Sequence, residues 1–192
     1  MAPLPTDEAT LLDLARAGDR RALARALSVV ERGGASGSSL VRATWARALD
    51  DRSSVDAPDQ AVTVGITGAP GAGKSTLNAS LCAELLRRGR SIAVLAIDPS
   101  SPFSGGAILG DRVRMGDVAG DEHLYIRSMA TRGHLGGLAG ATNDAIAVLG
   151  ATGRDLVIVE TVGVGQVETD IVDSADTTVV VVNPGWGDAI QA

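Results

Sequence analysis

The chain has 192 residues, of which 45% are hydrophobic and only 2% aromatic, and its formal net charge is −6 at pH 7. This length suits one sizeable aliphatic core with room for a small appendage. The negative net charge and the lack of a basic block argue against a nucleic-acid binder. No apolar signal region opens the chain, and no apolar run approaches the roughly 20 residues that span a bilayer. The composition therefore predicts a cytoplasmic protein that acts away from membranes.

The first 60 residues are predicted to form a helical segment and a linker. From residue 7 to about 50, leucines and alanines recur at helical spacing, which predicts a small N-terminal helical segment over residues 1–50. Gly18 and Gly33 are predicted to end helices, and Asp19 to cap the start of the next one. Residues 51–60 are polar, include Pro58 and show no periodicity, which predicts a linker.

Residues 61–192 have the pattern of a mostly parallel α/β domain. Short apolar runs predict five strands, at 61–67, 91–98, 123–128, 155–161 and 177–183. Helical patterns at 75–89 and near 141–151 alternate with them. Continuous apolar runs are typical of strands buried on both faces, and their alternation with helices indicates a parallel sheet. The single Cys82 lies in a helical pattern, so it excludes an intrachain disulfide and is predicted to fill the core.

The segment 68–76, GAPGAGKST, follows the first predicted strand and opens the first helix of this domain. It fits G-x-x-x-x-G-K-[ST], the phosphate-binding loop in which glycines let backbone N–H groups turn inward around phosphates. Lys74 is the only lysine in the chain, beside sixteen arginines. A compact ammonium can reach between the β- and γ-phosphates, whereas a planar guanidinium would not fit. The residues predicted to bind nucleotide are Gly68, Ala69, Pro70, Gly71, Ala72, Gly73, Lys74, Ser75 and Thr76.

Acidic residues near strand ends are the candidates for binding Mg²⁺ beside the Ser75 hydroxyl. Glu160 ends the apolar run LVIVE, where a P-loop enzyme places its magnesium-side acid. Asp98 ends another apolar run, although an Asp before Pro99 is also compatible with a helix cap or a turn. Asp111 lies in the glycine- and serine-rich stretch that follows, which suits a segment that orders around a γ-phosphate. A solvated turn residue is the alternative for Asp111.

A second glycine-rich segment, ETVGVGQ at 160–166, could present the Gly163 N–H to a γ-phosphate and swing away after hydrolysis. A plain glycine-rich loop is the alternative. Gln166 lies farther from Gly163 than the water-positioning glutamine of Ras-like proteins would, which predicts slow intrinsic hydrolysis. Arg127, Arg132 and His134 could reach phosphates or a partner, and the sequence leaves their roles open.

The chain resembles the MeaB/ArgK-type GTPases, a family of SIMIBI-class P-loop proteins, in a linked set of motifs: GAPGAGKST, DPSS followed by GGAILGDRVRM, RGHLGGLA, VIVETVGVGQVE and NPGWGDAIQ. The resemblance covers residues 61–192 closely and the helical segment loosely. It implies a GTP-binding and GTP-hydrolysing chaperone that couples nucleotide state to the assembly, cofactor loading or protection of adenosylcobalamin-dependent methylmalonyl-CoA mutase or a related acyl-CoA mutase. The stretch ATRGHLGG differs from the SSGTLGG found in well-known members, which leaves the mutase partner open.

The same resemblance implies roles for individual residues. The loop 68–76 would bind GTP or GDP, and switches that report nucleotide state would lie at 98–115, 160–168 and 184–191. Mg²⁺ would be surrounded by Ser75, as a direct ligand, Asp98, Asp111 and Glu160. The catalytic residues would be Lys74, Asp111 and Glu160. The family also implies a homodimer for the full-length protein.

Guanine-reading GTPases use an [NT]-K-x-D loop, and a chain whose only lysine is Lys74 contains none. The sequence also ends just after a strand and a switch-like segment, so we expect a fragment that lacks the base-reading strand and the C-terminal dimerisation segment. Two alternatives stay open: a P-loop small-molecule kinase or ATPase, and an interaction module that binds nucleotide without turnover. A partitioning-type ATPase is disfavoured because its signature lysine, five positions before Lys74, is replaced by Ala69.

Overall fold

The computed structural model describes residues 4–5, 7–52, 61–98, 120–130, 137–161 and 174–183. Its helices are α1 (Glu8–Arg16), α2 (Arg20–Arg32), α3 (Gly34–Arg52), α4 (Lys74–Arg87) and α5 (Gly137–Ala151). Its strands are β1 (Val62–Gly68), β2 (Ile92–Asp98), β3 (Leu124–Ala130), β4 (Leu156–Thr161) and β5 (Thr177–Val181). The chain divides into two compact units, one within residues 1–62 and 133–157 and the other within 63–132 and 158–192.

The first unit is helical, and aspartate side chains cap the starts of its first two helices. Asp7 caps α1 by accepting hydrogen bonds from the Thr10 N–H at 2.8 Å and the Thr10 hydroxyl at 2.6 Å. Asp19 caps α2 by accepting from two backbone N–H groups, at 2.8 and 3.1 Å. Such side chains satisfy donors that the first helical turn leaves unpaired. The helix α2 ends at Gly33, whose φ of +67° favours glycine.

Aliphatic side chains between these helices form the core of the first unit. The helices α1 and α5 each pack against α2 and α3. Fully buried leucines of this core include Leu12, Leu23, Leu27, Leu40 and Leu149. Arg16, at the end of α1, donates hydrogen bonds to the Ala151 carbonyl at 2.7 Å and to Asp51 at 2.8 Å. A cation there is also favourable for the C-terminal end of α5, so Arg16 joins the ends of α1, α3 and α5.

The described strands form one parallel sheet in the order β3-β2-β4-β1-β5. The strand β1 pairs with β5 up to Gly68–Val181, and β2 pairs with β3 up to Asp98–Ala130. Completely buried residues in these strands include Ile66, Leu95 and Ile158, as expected for strands covered on both faces. Helix α4 packs against β2. Because the strands are parallel, their carboxyl ends lie along one edge, where ligands bind in open α/β sheets.

The predicted α/β architecture is confirmed, and all five strands begin and end within two residues of their predicted bounds. The helix predicted near 141–151 begins earlier, at Gly137. Helix α3 continues to Arg52, two residues into the segment predicted as a linker. Residues 53–60 lie outside the described residues, so the linker and the domain division stay predictions. A membrane-crossing helix is not found in the described part of the chain, where every helix is too short or too polar for one.

Candidate nucleotide-binding site

The strand–loop–helix order predicted around residues 68–76 is observed, with β1 leading through a short loop into α4. Gly68, Gly71 and Gly73 have φ angles of +134°, +80° and +94°. Residues with side chains rarely adopt such angles. The Ala72 N–H donates to the Ala69 carbonyl at 3.1 Å, which closes a turn between the glycines. The glycines therefore allow the chain to turn tightly before α4 begins.

Gly68 is also a point of close approach between β1 and β5. A Cβ atom at this position would lie 2.1 Å from the carbonyl oxygen of Val181, the register partner of Gly68. A Cβ at Gly71 or Gly73 would meet no described atom within 4 Å. The first glycine of the loop is thus required by its contact with β5 as well as by its backbone conformation.

Helix α4 begins without a side-chain cap. Gly73 is its N-cap residue, in the left-handed conformation, and its carbonyl accepts a hydrogen bond from the Leu77 N–H at 2.9 Å. The N–H groups of a first helical turn have no partner within the helix, and the helix dipole adds a partial positive charge there. An N-terminus without a side-chain cap, next to a glycine turn, therefore has the donors that a phosphate group requires.

Lys74 is the first residue of α4, and only 7% of it is exposed. Its Nζ donates to the carbonyl oxygens of Gly68 at 2.6 Å and Ala69 at 3.0 Å. An ammonium has three donors, and these bonds use two of them. The loop backbone therefore holds the ammonium in place while a third donor can bind a phosphate oxygen.

Glu160, near the carboxyl end of β4, accepts hydrogen bonds from two residues of α4. Ser75 Oγ donates to Oε1 at 2.5 Å, and Asn78 Nδ2 donates to Oε2 at 2.7 Å. Ser75 and Asn78 are three residues apart, so they lie on one face of the helix. Glu160 is therefore held on both carboxyl oxygens, next to the hydroxyl that the sequence assigns to Mg²⁺.

Cys82 extends this cluster into the core. Its thiol donates to Asn78 Oδ1 with an Sγ–Oδ1 distance of 3.4 Å, and the residue is completely buried. Burial, and to a lesser extent the Glu160 carboxylate, raises the pKa of the Cys82 thiol to about 12. A thiol that stays protonated is a poor nucleophile. The prediction that Cys82 fills the core is confirmed.

Two hydroxyl groups join β4 to β1 beside the site. Thr161 Oγ1 lies 3.3 Å from Thr67 Oγ1 and 3.5 Å from the Ile66 carbonyl oxygen. Both threonines are buried, and their strands are neighbours in the sheet. These contacts fix the strand end that carries Glu160 relative to the strand that leads into the loop.

Asp98 is the last residue of β2, which neighbours β4 in the sheet. The parallel sheet therefore places Asp98, Glu160 and Gly68 at the carboxyl ends of three adjacent strands. Only the backbone of Asp98 is described, so its part in a metal site stays a prediction. Arg127 lies inside β3, opposite Leu95 in the register, rather than at the strand end.

The other predicted site residues lie outside the described part of the chain: Asp111, Arg132, His134, Gly163 and Gln166. Within the described ranges, no three His, Cys, Asp or Glu side chains are grouped as a metal site would require. The predicted magnesium ligands therefore stay a prediction, with Ser75 and Glu160 as the pair that the structure brings together.

Asn78 is the residue at this site that the sequence reasoning missed. It lies four residues after Lys74 and four before Cys82, and all three are buried in α4. A carboxamide on a buried helix face needs hydrogen-bond partners, because an unpaired buried polar group is unfavourable. The signal in the sequence was the position of Asn78, four residues after Lys74 and therefore on the same face of the helix.

Comparison with known protein families matches residues 23–192 to methylmalonyl-CoA mutase-associated GTPase MeaB. A relative from Pyrococcus abyssi is 51% identical over 181 residues, which cover 94% of this chain and 53% of the relative. GTPase ArgK of Escherichia coli is 40% identical over 188 residues, which cover 96% of this chain and 55% of ArgK. The chain thus spans about half the length of these relatives.

The crystal structure of a LAO/AO transport system kinase is similar with a TM-score of 0.68 and 28% sequence identity, covering 94% of this chain and 51% of that one. This likeness agrees with the parallel sheet and the glycine loop in assigning a P-loop NTPase fold. The family match extends over most of the chain and includes the loop, Lys74 and Glu160. On these grounds the chain belongs to the MeaB family of methylmalonyl-CoA mutase-associated GTPases.

Proposed function

We propose that this chain binds GTP and GDP at residues 68–76, hydrolyses GTP slowly, and couples its nucleotide state to a cobalamin-dependent acyl-CoA mutase. The family description supports this, because it names both a GTPase and methylmalonyl-CoA mutase. One observation of the structure carries the proposal. Glu160 is hydrogen-bonded to Ser75 at the start of α4, directly after the buried Lys74.

The triphosphate would be held mainly by backbone N–H groups. The glycine turn directs the chain into the first turn of α4, and no side chain caps this helix. The free N–H groups and the helix dipole favour phosphate there. Lys74 would add a point charge between the β- and γ-phosphates, from a position already fixed by two loop carbonyls. The residues proposed to bind are Gly68, Ala69, Pro70, Gly71, Ala72, Gly73, Lys74, Ser75 and Thr76.

The oxygen atoms around Ser75 suit Mg²⁺. Hydroxyl and carboxylate oxygens are the hard donors that this cation prefers, and Ser75 Oγ and Glu160 Oε1 lie 2.5 Å apart. When bound, Mg²⁺ would supply positive charge that offsets the charge of the phosphate groups. The ligands that we propose are Ser75, Asp98, Asp111 and Glu160.

The proposed catalytic role of each side chain follows from the group that it would bind, either the phosphate or the metal. Lys74 would stabilise charge on the terminal phosphate, while Glu160 and Asp111 would keep the metal-side oxygens in position. The Gly163 N–H, three residues after Glu160, would contact the γ-phosphate and lose that contact after hydrolysis. The segments 98–115, 160–168 and 184–191 would carry this change to the partner.

The wider role is proposed from the family alone. The partner would be adenosylcobalamin-dependent methylmalonyl-CoA mutase or a related acyl-CoA mutase, with hydrolysis timing its assembly, cofactor loading or protection. The full-length protein would be a cytoplasmic homodimer. The net charge of −6 supports neither a nucleic-acid partner nor an acidic membrane surface.

Nucleotide titration tests the proposal directly. Calorimetry with GTP and GDP, with and without Mg²⁺, should show binding that Lys74→Ala abolishes and Arg87→Ala leaves unchanged. Arg87 is a matched control because it carries the same charge on the same helix, and its side chain is 71% exposed. Phosphate release to water, measured in parallel, should be slow but detectable.

Two results would point to the open alternatives instead. Binding without any phosphate release would favour an interaction module. Transfer of phosphate to an added acceptor in preference to water would favour a kinase. Equal effects of Lys74→Ala and Arg87→Ala would show that nucleotide binds elsewhere, and the proposal would fail.

A further inference from the structure

We infer that Asn78 is a positioning residue for Glu160, and that the Asn78 amide sets the concentration of Mg²⁺ at which this site binds triphosphate. The inference rests on the proposed function, because it concerns the same carboxylate. It adds a residue that lies outside the phosphate-loop motif, buried within α4. Asn78 would act through Glu160 and would touch neither nucleotide nor metal.

Glu160 divides its two carboxyl oxygens between two partners. Oε1 accepts from Ser75, and Oε2 accepts from Asn78 at 2.7 Å. Ser75 Oγ and Glu160 Oε1 are the atoms that would hold a metal ion, and Asn78 uses the other carboxyl oxygen. The bond from Asn78 to Oε2 does not need to change. Asn78 can therefore hold the carboxylate in the same place in the metal-free and metal-bound states.

The direction of the Asn78 amide is fixed by a second contact. An asparagine side chain has one oxygen that accepts and one nitrogen that donates. The Cys82 thiol donates to Oδ1 at 3.4 Å, so the nitrogen is turned toward Glu160. The high pKa of the thiol, about 12, keeps that donor protonated at ordinary pH. The core thus orients the amide, and the amide orients the carboxylate.

Because these side chains are buried, the loss of either hydrogen bond of Asn78 is costly. Asn78 and Cys82 are both 0% exposed, so water cannot take the place of a lost partner without a rearrangement of the core. Residues that support a metal ligand in this way typically change metal affinity about 10- to 100-fold when they are replaced. We expect an effect of that size at Asn78.

Two substitutions separate the donor from the shape of the side chain. Asn78→Leu keeps the branching and the number of side-chain heavy atoms, and removes the donor to Glu160 together with the acceptor of the Cys82 thiol. Asn78→Asp keeps the shape and replaces the donor with a carboxyl group beside Glu160. Ser80→Ala is the matched control, because Ser80 is an exposed residue of the same helix whose hydroxyl bonds only to the Thr76 carbonyl among described contacts. Folding of each variant is checked by circular dichroism.

The measurement is the Mg²⁺ concentration that half-saturates binding of a slowly hydrolysed GTP analogue, followed by calorimetry. Asn78→Leu should raise it about 10- to 100-fold, with little change in GDP binding without metal. Asn78→Asp should raise it too, because a carboxylate cannot donate a hydrogen bond to Glu160 Oε2.

The outcomes distinguish this inference from the function on which it rests. If the wild-type chain binds the analogue equally well with and without Mg²⁺, the proposed function fails. If the wild type needs Mg²⁺ and Asn78→Leu needs the same concentration, the inference fails. Loss of folding or of metal-free GDP binding in both Asn78 variants would show a purely structural role, and would also overturn it.

Discussion

Replacing Gly68 with alanine should weaken the junction between β1 and β5 far more than the same change at Gly71. Both glycines belong to the loop motif and both have positive φ angles, +134° and +80°. The added Cβ at Gly68 would lie 2.1 Å from the Val181 carbonyl oxygen, whereas at Gly71 it would meet no described atom within 4 Å. The two substitutions therefore share backbone strain and differ in the contact with β5.

The size of the difference follows from the geometry. A positive φ costs an alanine about 1–3 kcal/mol at either position. Cβ atoms in proteins essentially never come closer than 3.0 Å to another heavy atom. At Gly68 the new Cβ would lie 2.1 Å from the Val181 carbonyl oxygen, which is about 0.9 Å too close. The obstacle is a backbone carbonyl in a paired strand, so it cannot turn aside, and overpacking adds about 1–3 kcal/mol. Gly68→Ala should thus lower the free energy of unfolding by about 2–6 kcal/mol.

Urea unfolding without nucleotide, followed by far-ultraviolet circular dichroism, measures both variants on the same scale. Hydrogen exchange over residues 177–181 adds a local measurement, and exchange there should accelerate in Gly68→Ala only. Because nucleotide is absent, lost phosphate contacts cannot contribute to either result. If the two variants lose equal stability, or if exchange in β5 is unchanged, the close approach to Val181 does not constrain Gly68.

We expect three further outcomes. Lys74→Arg should reduce triphosphate affinity nearly as much as Lys74→Ala, because a planar, forked guanidinium does not fit the site of a compact ammonium. Near-normal affinity of the Arg variant, measured by calorimetry, would contradict this. The folded thiol of Cys82 has a pKa near 12 against 9.0 for a free thiol, so it stabilises the fold below about pH 9 and loses that contribution as pH rises toward 12. Urea titrations should show the stability difference between wild type and Cys82→Ala shrinking over that range, and a constant difference would refute it. Without an [NT]-K-x-D loop, this chain should bind GTP and ATP within about tenfold, or about 1.4 kcal/mol, and a hundredfold preference would show that other residues read guanine.

The sequence predicted the sheet well because its strands are marked by continuous apolar runs. Runs such as SIAVLAID have few ways to bury their side chains except as strands covered on both faces, and β2 is indeed buried from Ile92 to Ile97. Helix boundaries were harder. The helix α5 begins at Gly137, in a glycine- and alanine-rich stretch with little periodicity to mark a start. Strand order could not be read from the chain, since it depends on contacts distant in sequence.

The site was predictable where one motif contains all of its members. Gly68 through Thr76 are contiguous, so spacing alone located the loop and the start of α4. The second reason for Gly68, its contact with Val181, joins residues over a hundred positions apart and left no local signal. Asn78 was missed for a related reason. Its partner Glu160 lies 82 positions away, and a single carboxamide in a helix gives no indication of where its hydrogen bonds go.

The structure sharpens the reason why one lysine stands among sixteen arginines. The Lys74 ammonium is bound at 2.6 and 3.0 Å by carbonyls of adjacent residues, Gly68 and Ala69, so two of its donors converge on one turn of backbone. Three donors on one small nitrogen can meet two close carbonyls and still leave one for a ligand. A guanidinium carries five donors in a rigid plane. If some of these donors bonded to the loop carbonyls, the rigid plane would point the remaining donors away from the loop. Lysine is therefore required by the loop that holds it as well as by the phosphates that it would bind, and an arginine there would disturb the loop even before nucleotide arrives.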